Sequence, residues 1–373
     1  MNLCQKCVLK VKPGETLCPE CQSYKPTHID WGKKEEELKQ LVEKFRGKGK
    51  KYDAMVTLTG GKDSSFVLYY LTKVLKLRVL AFTWDNLLIR EGSMRNIENA
   101  VKATKVDHIM FKWNTEKMKR LNKATFKEYA TICFCPVYMA MGSYPAAIKN
   151  DIPLIFAGFS QGQRELDHLW TLPDQAEQKR QVKNFQKVWY EGFSGALQHQ
   201  DAAAHDDVMK EIFADFTSTC IDSNPAFYPI FAPLSNYVNW SSMNDLEKTL
   251  ITHLNWAKPT KTYMHTSCMI EPVRGYLEHK RGLNEMTSEM SNMIRQGSVT
   301  REESLEEMRL TGMDGKRPDL KIHNDFIGIS DGEFDEILTR NLKPNPTIIK
   351  YFKEINDSLC WIKSIKTVKA TVV

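Results

Sequence analysis

The segment from residue 52 to 65, Tyr-Asp-Ala-Met-Val-Thr-Leu-Thr-Gly-Gly-Lys-Asp-Ser-Ser, constrains the fold more than any other part of the chain. Its pattern indicates an apolar strand, a turn with two adjacent glycines, and an amphipathic helix. Adjacent glycines allow a tight turn that brings backbone N–H groups close to a ligand. Hydroxyls, a lysine and the positive end of a helix dipole add to the attraction for anions. We therefore predict a phosphate-binding loop formed by Thr59, Gly60, Gly61, Lys62, Asp63 and Ser64, with an ordinary strand–turn–helix connection as the alternative.

The loop resembles a known phosphate-binding motif. Thr-Gly-Gly-Lys-Asp-Ser at 59–64 is similar to the Ser-Gly-Gly-x-Asp-Ser loop of the PP-loop ATP pyrophosphatases. It is not a Walker A loop, which has four residues between its first Gly and its Gly-Lys-Ser/Thr. The resemblance implies that ATP with Mg²⁺ binds here by its β,γ-pyrophosphate while a substrate oxygen is adenylated at the α-phosphorus. It further implies that Lys62 neutralises phosphate charge and that Asp63 orients the loop or the metal.

Composition sets the broad class of protein. The chain has 373 residues, of which 42% are apolar, so it has room for one large domain with appendages. No apolar run approaches the roughly 20 residues of a membrane helix, and the N-terminus lacks the apolar stretch of a secretory signal. We therefore expect a cytoplasmic protein. The formal net charge of +6 suits a polyanionic small molecule, and it neither demands nor excludes RNA.

Short apolar runs alternate with helical patterns after residue 53. We predict strands over 54–58, 78–83, 108–111, 154–157 and 228–232. This alternation predicts an α/β fold with a five-stranded parallel sheet, doubly wound, whose ligands bind at the carboxyl ends of the strands. The predicted organisation is a cysteine module over 1–30, a linker helix over 31–52, an ATP-binding domain over 53–240 with a helical insertion at about 165–222, and a mainly helical region over 241–373.

The N-terminal cysteines form two closely spaced pairs. Cys4-x2-Cys7 and Cys18-x2-Cys21 are typical of a tetrahedral Zn²⁺ site, whose metal supplies the folding energy that so short a segment lacks. A redox Cys-x-x-Cys is the alternative, but it leaves one pair unexplained. We therefore predict a structural zinc module, resembling a zinc ribbon.

Two further positions are expected to contact the nucleotide. In the resembled family the end of the second strand contacts adenine through backbone groups, which makes Phe82 and Thr83 the candidates. A buried strand end explains these residues equally well. Gly158 follows the strand predicted at 154–157, and we expect its missing side chain to allow close backbone approach to the nucleotide.

A second resemblance covers two distant segments. The Cys-Phe-Cys-Pro of 133–136, the strand at 151–158 and the Lys-Arg-Gly, Ile-Arg-x-Gly and Thr-Arg-Glu-Glu motifs within 280–303 are similar to bacterial N-acetyl sugar amidotransferases. These PP-loop enzymes convert an acetamido group of a surface sugar into an acetamidino group, which is a step of polysaccharide biosynthesis. The resemblance implies a small sugar or other carbonyl substrate and a separate glutaminase subunit. We expect one basic patch formed by Arg274, Lys280, Arg281, Arg295 and Arg301.

Three other cysteines suggest a competing chemistry. Cys133, Cys135 and Cys268 occupy places comparable to those that hold an iron–sulfur cluster in the PP-loop enzymes that thiolate nucleic-acid bases. The implied alternative is a sulfurtransferase with a 4Fe–4S cluster, in which these cysteines take part in the reaction. Simple burial of the free thiols is the structural alternative. A homodimer is also left open by the sequence.

Overall fold

We describe a computed structural model of the chain over residues 2–26, 28–160, 162, 174–225, 227–240, 242–264 and 267–342. Its single sheet has five strands: β1 Ala54–Thr57, β2 Val79–Trp84, β3 Asp107–Phe111, β4 Leu154–Ala157 and β5 Ile230–Pro233. All five predicted strands are present, with bounds that differ by one or two residues. The strand order is β3-β2-β1-β4-β5 and every pairing is parallel, which confirms the predicted α/β class.

The described residues contain fourteen α-helices. The N-terminal half contains α1 Pro19–Ser23, α2 Trp31–Phe45, α3 Lys62–Tyr69, α4 Glu91–Thr104, α5 Thr115–Tyr129 and α6 Cys135–Lys149. The insertion contributes α7 Gln175–Gln200 and α8 His205–Phe216, and part of its predicted range, 163–173, lies outside the described residues. The C-terminal region is helical as predicted, with α9 Met243–Leu254, α10 Glu271–Arg281, α11 Glu285–Arg295, α12 Arg301–Leu310, α13 Lys321–Ile327 and α14 Asp331–Arg340.

Successive residues of a strand pack alternately into two separate hydrophobic cores, one on each face of the sheet. Met55 of β1 packs in a cluster with α5, α6, α7 and α8. Its neighbours Ala54 and Val56 pack on the opposite face with α2, α3, α4 and α9. Because the side-chain period of a strand is two, both faces of β1 are apolar and both are covered by helices. The apolar stripe of α2, including the fully buried Leu38, is part of this second core.

The C-terminal helices form two smaller clusters beside the sheet domain. Phe334 of α14 stacks on Phe126 of α5 and on Tyr276 of α10. Helices α11 and α12 instead form a methionine-rich cluster with Val8 of the N-terminal module. The capping box predicted at the start of α12 is present, with Thr300 and Glu303 bonded reciprocally. Within the described residues, no helix combines the length and apolarity needed to cross a membrane.

Asp53 ties the start of β1 to β2. Its buried carboxylate accepts hydrogen bonds from Gly47 N at 2.8 Å and from Arg78 Nη2 at 2.7 Å and Nε at 3.1 Å. Burial alone would raise the pKa of Asp53, but the hydrogen bonds from Arg78 and Gly47 outweigh it and lower the pKa to about 2. The folded protein therefore favours the ionised form more than the unfolded chain does.

We expect Asp53→Asn to lower the free energy of unfolding at pH 7 by about 2 kcal/mol. A depressed carboxyl pKa stabilises the fold above the unfolded value of 3.8, and this contribution is lost as the pH falls from about 4 towards 2. Urea unfolding at several pH values measures both effects. Glu43→Gln is the control, since Glu43 forms an exposed ion pair with Arg46. Equal losses in the two variants would contradict the assignment.

Candidate functional site

The predicted phosphate loop follows β1 and is held by its own hydroxyls. Thr59 N donates to Ser64 Oγ at 3.1 Å, and the hydroxyls of these two residues lie 3.1 Å apart. Gly60 has a φ of +75°, and a Cβ there would lie 2.1 Å from the carbonyl oxygen of Ser93. Only glycine fits this conformation and this close approach, so the glycine pattern of the sequence corresponds to a structural need.

Helix α3 begins inside the loop and has no side-chain cap. Gly61 is the N-cap residue, and among the described residues no side chain accepts a hydrogen bond from the first N–H groups of this helix. The first N–H groups of a helix have no partner within the helix itself. They attract anions together with the helix dipole. This end of α3 lies at the carboxyl end of β1, where parallel sheets bind their ligands.

Lys62 is buried at the start of α3. Its Nζ lies 2.6 Å from Asp63 Oδ2, and Asp63 Oδ1 accepts a hydrogen bond from Trp240 Nε1 at 3.1 Å. Burial acts to lower the pKa of Lys62, but the charges of Asp63, Glu289 and Glu307 outweigh it and raise the pKa. Lys62 therefore carries a positive charge at neutral pH. Each carboxylate oxygen of Asp63 has a partner, Lys62 for one and Trp240 for the other. Contact of Lys62 with phosphate stays a prediction.

Gly158 makes room for the loop itself. A Cβ at this position would lie 2.3 Å from Ser64 N and 2.6 Å from the carbonyl carbon of Asp63. The close neighbour of Gly158 in the structure is the backbone at the start of α3, and the expected approach of Gly158 to the nucleotide stays a prediction. The missing side chain allows β4 to pack directly against the start of α3.

Two side chains that sequence reasoning did not assign hold the outer side of the loop. Trp256 Nε1 donates to Gly60 O at 3.0 Å, and Asn96 Nδ2 donates to the same oxygen at 3.2 Å. Asn96 also donates to Ala257 O at 2.7 Å. A buried indole N–H needs an acceptor, and here the loop carbonyl provides one. These bonds fix the orientation of the peptide between Gly60 and Gly61.

Phe82 and Thr83 are buried at the end of β2. Leu58 N donates to Phe82 O at 2.8 Å, and Thr83 Oγ1 donates to Leu58 O at 2.7 Å. His108 Nε2 lies 2.8 Å from the same hydroxyl. Both residues therefore support the strand that leads into the loop. Their predicted contact with adenine stays a prediction.

The structure brings Cys133, Cys135 and Cys268 together beyond the end of β2. Asn86 Nδ2 lies 3.5 Å from Cys135 Sγ and 3.7 Å from Cys268 Sγ. Cys268 lies opposite Ile89 in an antiparallel bridge, which places it beside the segment that follows β2. Cys133 interacts electrostatically with both other cysteines. Residues far apart in sequence thus converge into one group of three thiols.

These thiols are only partly exposed, and Arg274 is one of their charged neighbours. Burial raises the pKa of Cys133 to about 12, and it raises those of Cys135 and Cys268 to about 11. Between the close pair, the Phe134 ring packs 5.7 Å from Trp189 and 5.3 Å from Phe193, measured between centroids. The helical insertion therefore positions the loop that carries two of the three thiols. Cluster binding by these three cysteines stays a prediction, and it would require their deprotonation.

The four N-terminal cysteines form a separate group. All four sulfurs of Cys4, Cys7, Cys18 and Cys21 lie within 4.8 Å of one another, and Cys7 Sγ and Cys18 Sγ are 3.6 Å apart. A tetrahedral zinc with Zn–S bonds of about 2.3 Å places its sulfurs roughly 3.8 Å apart. Backbone N–H groups also point at the sulfurs, as from Cys18 to Cys4 at 3.4 Å and from Cys21 to Cys18 at 3.3 Å. The geometry fits the predicted metal site.

The predicted single basic patch is wrong. Arg274 lies 3.0 Å from Glu285, and it interacts with Cys133. Lys280 lies over the Tyr276 ring and Arg281 donates to Ala130 O at 3.5 Å, whereas the other two members, Arg295 and Arg301, contact the four-cysteine module. The five side chains do not form one patch, because each of them binds a different partner: a carboxylate, an aromatic ring, a backbone carbonyl or the N-terminal module.

Helices α11 and α12 link the N-terminal module to the phosphate loop. At one end, Arg301 Nε donates to the carbonyls of Cys4 and Cys7, each at 3.1 Å. At the other, Glu289 Oε1 accepts a hydrogen bond from Ser160 Oγ at 2.7 Å, just beyond β4. Glu307 of α12 accepts from Tyr263 N at 2.9 Å, and its charge, like that of Glu289, raises the pKa of Lys62. One carboxylate of each helix thus lies close enough to Lys62 to interact with its charge.

The C-terminal region is similar to a known protein family. Residues 273–358 match the family described as LPS biosynthesis protein WbpG-like, C-terminal domain. A segment of 94 residues is 27% identical to the uncharacterized protein MJ1599 of Methanocaldococcus jannaschii, covering 25% of this chain and 34% of that protein. The match therefore spans about a third of the length of that curated relative.

Two solved structures are similar in outline only. The U34-tRNA thiolase NcsA of Methanococcus maripaludis with its 4Fe–4S cluster has a TM-score of 0.32 at 14% identity, over 89% of this chain and 95% of that one. An NH3-dependent NAD synthetase of Campylobacter jejuni, in complex with nitrate, has a TM-score of 0.31 at 12% identity, over 78% of this chain and 99% of that one. Similarity at this level says nothing about the chemistry of this chain. In its loop sequence and its five-stranded parallel sheet the chain resembles the PP-loop superfamily, and its residues 273–358 match the WbpG-like C-terminal domain.

Proposed function

We propose that the chain is an ATP-dependent synthetase that forms AMP and pyrophosphate and places ammonia nitrogen on its substrate. One observation carries the proposal: at the uncapped start of α3, the charged Lys62 interacts with carboxylates from helices of the region that matches the WbpG-like domain. The family description concerns lipopolysaccharide biosynthesis, which supports an N-acetyl sugar as the acceptor. This combination is what an N-acetyl sugar amidotransferase requires.

The reaction has two steps. An amide oxygen of the acceptor attacks the α-phosphorus of ATP, the bond from that phosphorus to the bridging oxygen breaks, and pyrophosphate leaves. Ammonia then adds to the imidate carbon, the bond from that carbon to the AMP oxygen breaks, and a proton is lost to give the amidine. The first step converts a poor leaving oxygen into a good one. Ammonia is supplied by a separate glutaminase subunit in this proposal.

The loop acts on the phosphates. The N–H groups at the start of α3 bind the β,γ-pyrophosphate, and Lys62 exchanges Asp63 for phosphate oxygens as the nucleotide enters. Such preorganised donors stabilise the charge that develops as pyrophosphate leaves. Mg²⁺, when bound, neutralises phosphate charge. Asp63 is the loop carboxylate available to orient it, while Trp240 keeps that side chain in place.

The three convergent cysteines favour a second candidate, a sulfurtransferase. In this alternative the activation step is the same, but a sulfur nucleophile displaces AMP and the product is a thioamide or thiocarbonyl on a small molecule or RNA base. Cys133, Cys135 and Cys268 would hold the cluster, which supplies a site for the transferred sulfur. The contact of Asn86 with two of these sulfurs is the observation that supports it.

Labelled donors distinguish the two chemistries. Anaerobically prepared protein is supplied with ATP, Mg²⁺, nucleotide-activated N-acetyl sugars and either isotopically labelled ammonium or labelled sulfide, and the product is examined by mass spectrometry. We expect the nitrogen label in the product, with pyrophosphate released in equal amount. Cys135→Ser should retain this activity if nitrogen is transferred. Sulfur in the product, iron and sulfide in the protein, and inactivity of Cys135→Ser would instead establish the second candidate.

A further inference from the structure

A cavity of about 350 Å³ lies between the start of α4 and the segment 257–259. Its walls include three basic side chains, those of Arg90, Arg95 and Lys258, together with the amides of Asn96 and Asn99. The volume is that of a small-ligand site. Its polar groups are mostly hydrogen-bond donors, and Glu91 is the one acidic residue among the lining residues that the structure describes.

The cavity adjoins both parts of the candidate site. Asn96, in its wall, donates to the carbonyl of Gly60 in the phosphate loop. Met269, in another wall, follows Cys268 directly and donates its N–H to Leu88 O at 2.9 Å. The backbone of Arg90 also donates to Ser267 O at 2.8 Å. A ligand in this cavity would therefore contact residues bonded to the loop on one side and residues beside the thiols on the other.

The Arg90 guanidinium in this cavity is not fully satisfied. Its Nε is buried and has no hydrogen-bond partner among the described residues. A buried donor without an acceptor costs free energy, and more so when it belongs to a charged group. Arg95 pairs with Glu91 and Lys258 lies 3.5 Å from Glu247, so each of the two other cations has a carboxylate partner. An anion in the cavity would pair with the Arg90 guanidinium, which has no carboxylate partner among the described residues.

We propose that this cavity binds the anionic group of the acceptor, a phosphate or a carboxylate, and so holds the acceptor beside the phosphate loop. The inference rests on the proposed function for the identity of the ligand as the acceptor, but anion binding by the cavity can be tested on its own. Guanidinium and ammonium groups are suited to both kinds of anion, whereas the lining amides already donate to backbone carbonyls. The acceptor is accordingly a charged small molecule rather than a neutral sugar.

Calorimetry with simple anions tests this site. The full-length protein is first saturated with AMP-PNP and Mg²⁺, so that the phosphate loop is occupied, and is then titrated with inorganic phosphate or, separately, with acetate. We expect saturable binding at one site, weakened about tenfold or more in both Arg90→Gln and Lys258→Gln. Preference for phosphate would indicate a phosphorylated acceptor, and preference for acetate a carboxylated one.

Arg309→Gln is the matched control, because Arg309 is an exposed arginine paired with Glu306 and is not part of the cavity wall. If the Arg90→Gln protein does not fold, Lys258→Gln and Lys258→Glu still test anion binding. Lys258 is partly exposed, so its substitution should not prevent folding. If the wild type binds no anion, or if it and both Lys258 variants bind anions equally well, this inference is wrong. AMP-PNP binding would stay intact in that case, so the proposed function would not be affected. Loss of AMP-PNP binding with retained anion binding would instead contradict the proposed function.

Discussion

Replacing Lys62 with methionine is expected to reduce pyrophosphate release about a hundredfold to a thousandfold. Methionine keeps much of the length of the buried side chain but removes the charge that the loop presents to phosphate. Loss of one preorganised donor to a developing charge typically has an effect of this size. Asp63 keeps its hydrogen bond from Trp240 in this variant, so the loop retains one of its two anchors. Release of pyrophosphate with ATP, ammonium and N-acetylated nucleotide sugars is the measurement.

Lys73→Met is the matched control for this variant. Lys73 lies on the π-helical turn that continues α3, and its Nζ donates to Ala103 O at 3.0 Å, away from the loop. Its activity should stay within about twofold of wild type, as expected for a substitution remote from the site. A fully active Lys62→Met protein with an unchanged thermal midpoint would refute the role assigned to the loop.

Removal of the N-terminal metal is expected to have the second large effect. Structural zinc sites contribute about 10 kcal/mol or more to the folding of the segment that binds the metal. Here the module also accepts hydrogen bonds from Arg301 and packs Val8 against the methionine cluster of α11 and α12. We therefore expect a chelator, or Cys18→Ser, to lower the thermal midpoint and weaken AMP-PNP binding together. Thermal melting and calorimetry measure the two effects on the same samples.

Gln22→Ala gives the control within the same module, because Gln22 is exposed and its side chain bonds only to Leu17 O in the described structure. The variant should keep its metal and its nucleotide affinity. Two results would show that the module does not support the loop through α11 and α12. One is a purified protein that contains no zinc, and the other is a protein that loses zinc with no change in thermal midpoint or nucleotide binding.

The parts of the site that were predictable from sequence are local ones. The turn at Gly60, the hydroxyls of Thr59 and Ser64 and the helix that follows lie within a few residues of one another, so a short pattern specifies them. The convergence of the four N-terminal cysteines was predictable for the same reason, since two close pairs at this spacing are typical of a four-thiolate site. Four of the five strands are apolar runs buried along their whole length, whereas the edge strand β3 is partly exposed.

Contacts between distant segments were not predictable in this way. Trp256 lies 196 positions from the Gly60 carbonyl that it binds, and Trp240 lies 177 positions from Asp63. The sequence indicates that a buried indole needs an acceptor, but it does not say which one. The basic patch failed for a related reason, because the pattern of arginines in α10 to α12 does not reveal that the cysteine module and nearby carboxylates occupy them.

The role of the loop is tested most directly by a crystal structure with Mg²⁺ and an ATP analogue carrying a methylene group between its α and β phosphorus atoms. We expect the β- and γ-phosphates against the N–H groups of residues 60–64, with Lys62 turned from Asp63 towards phosphate oxygens. Nucleotide bound elsewhere, or a loop that stays closed on Asp63 at saturating analogue, would contradict the assignment of this loop as the pyrophosphate site.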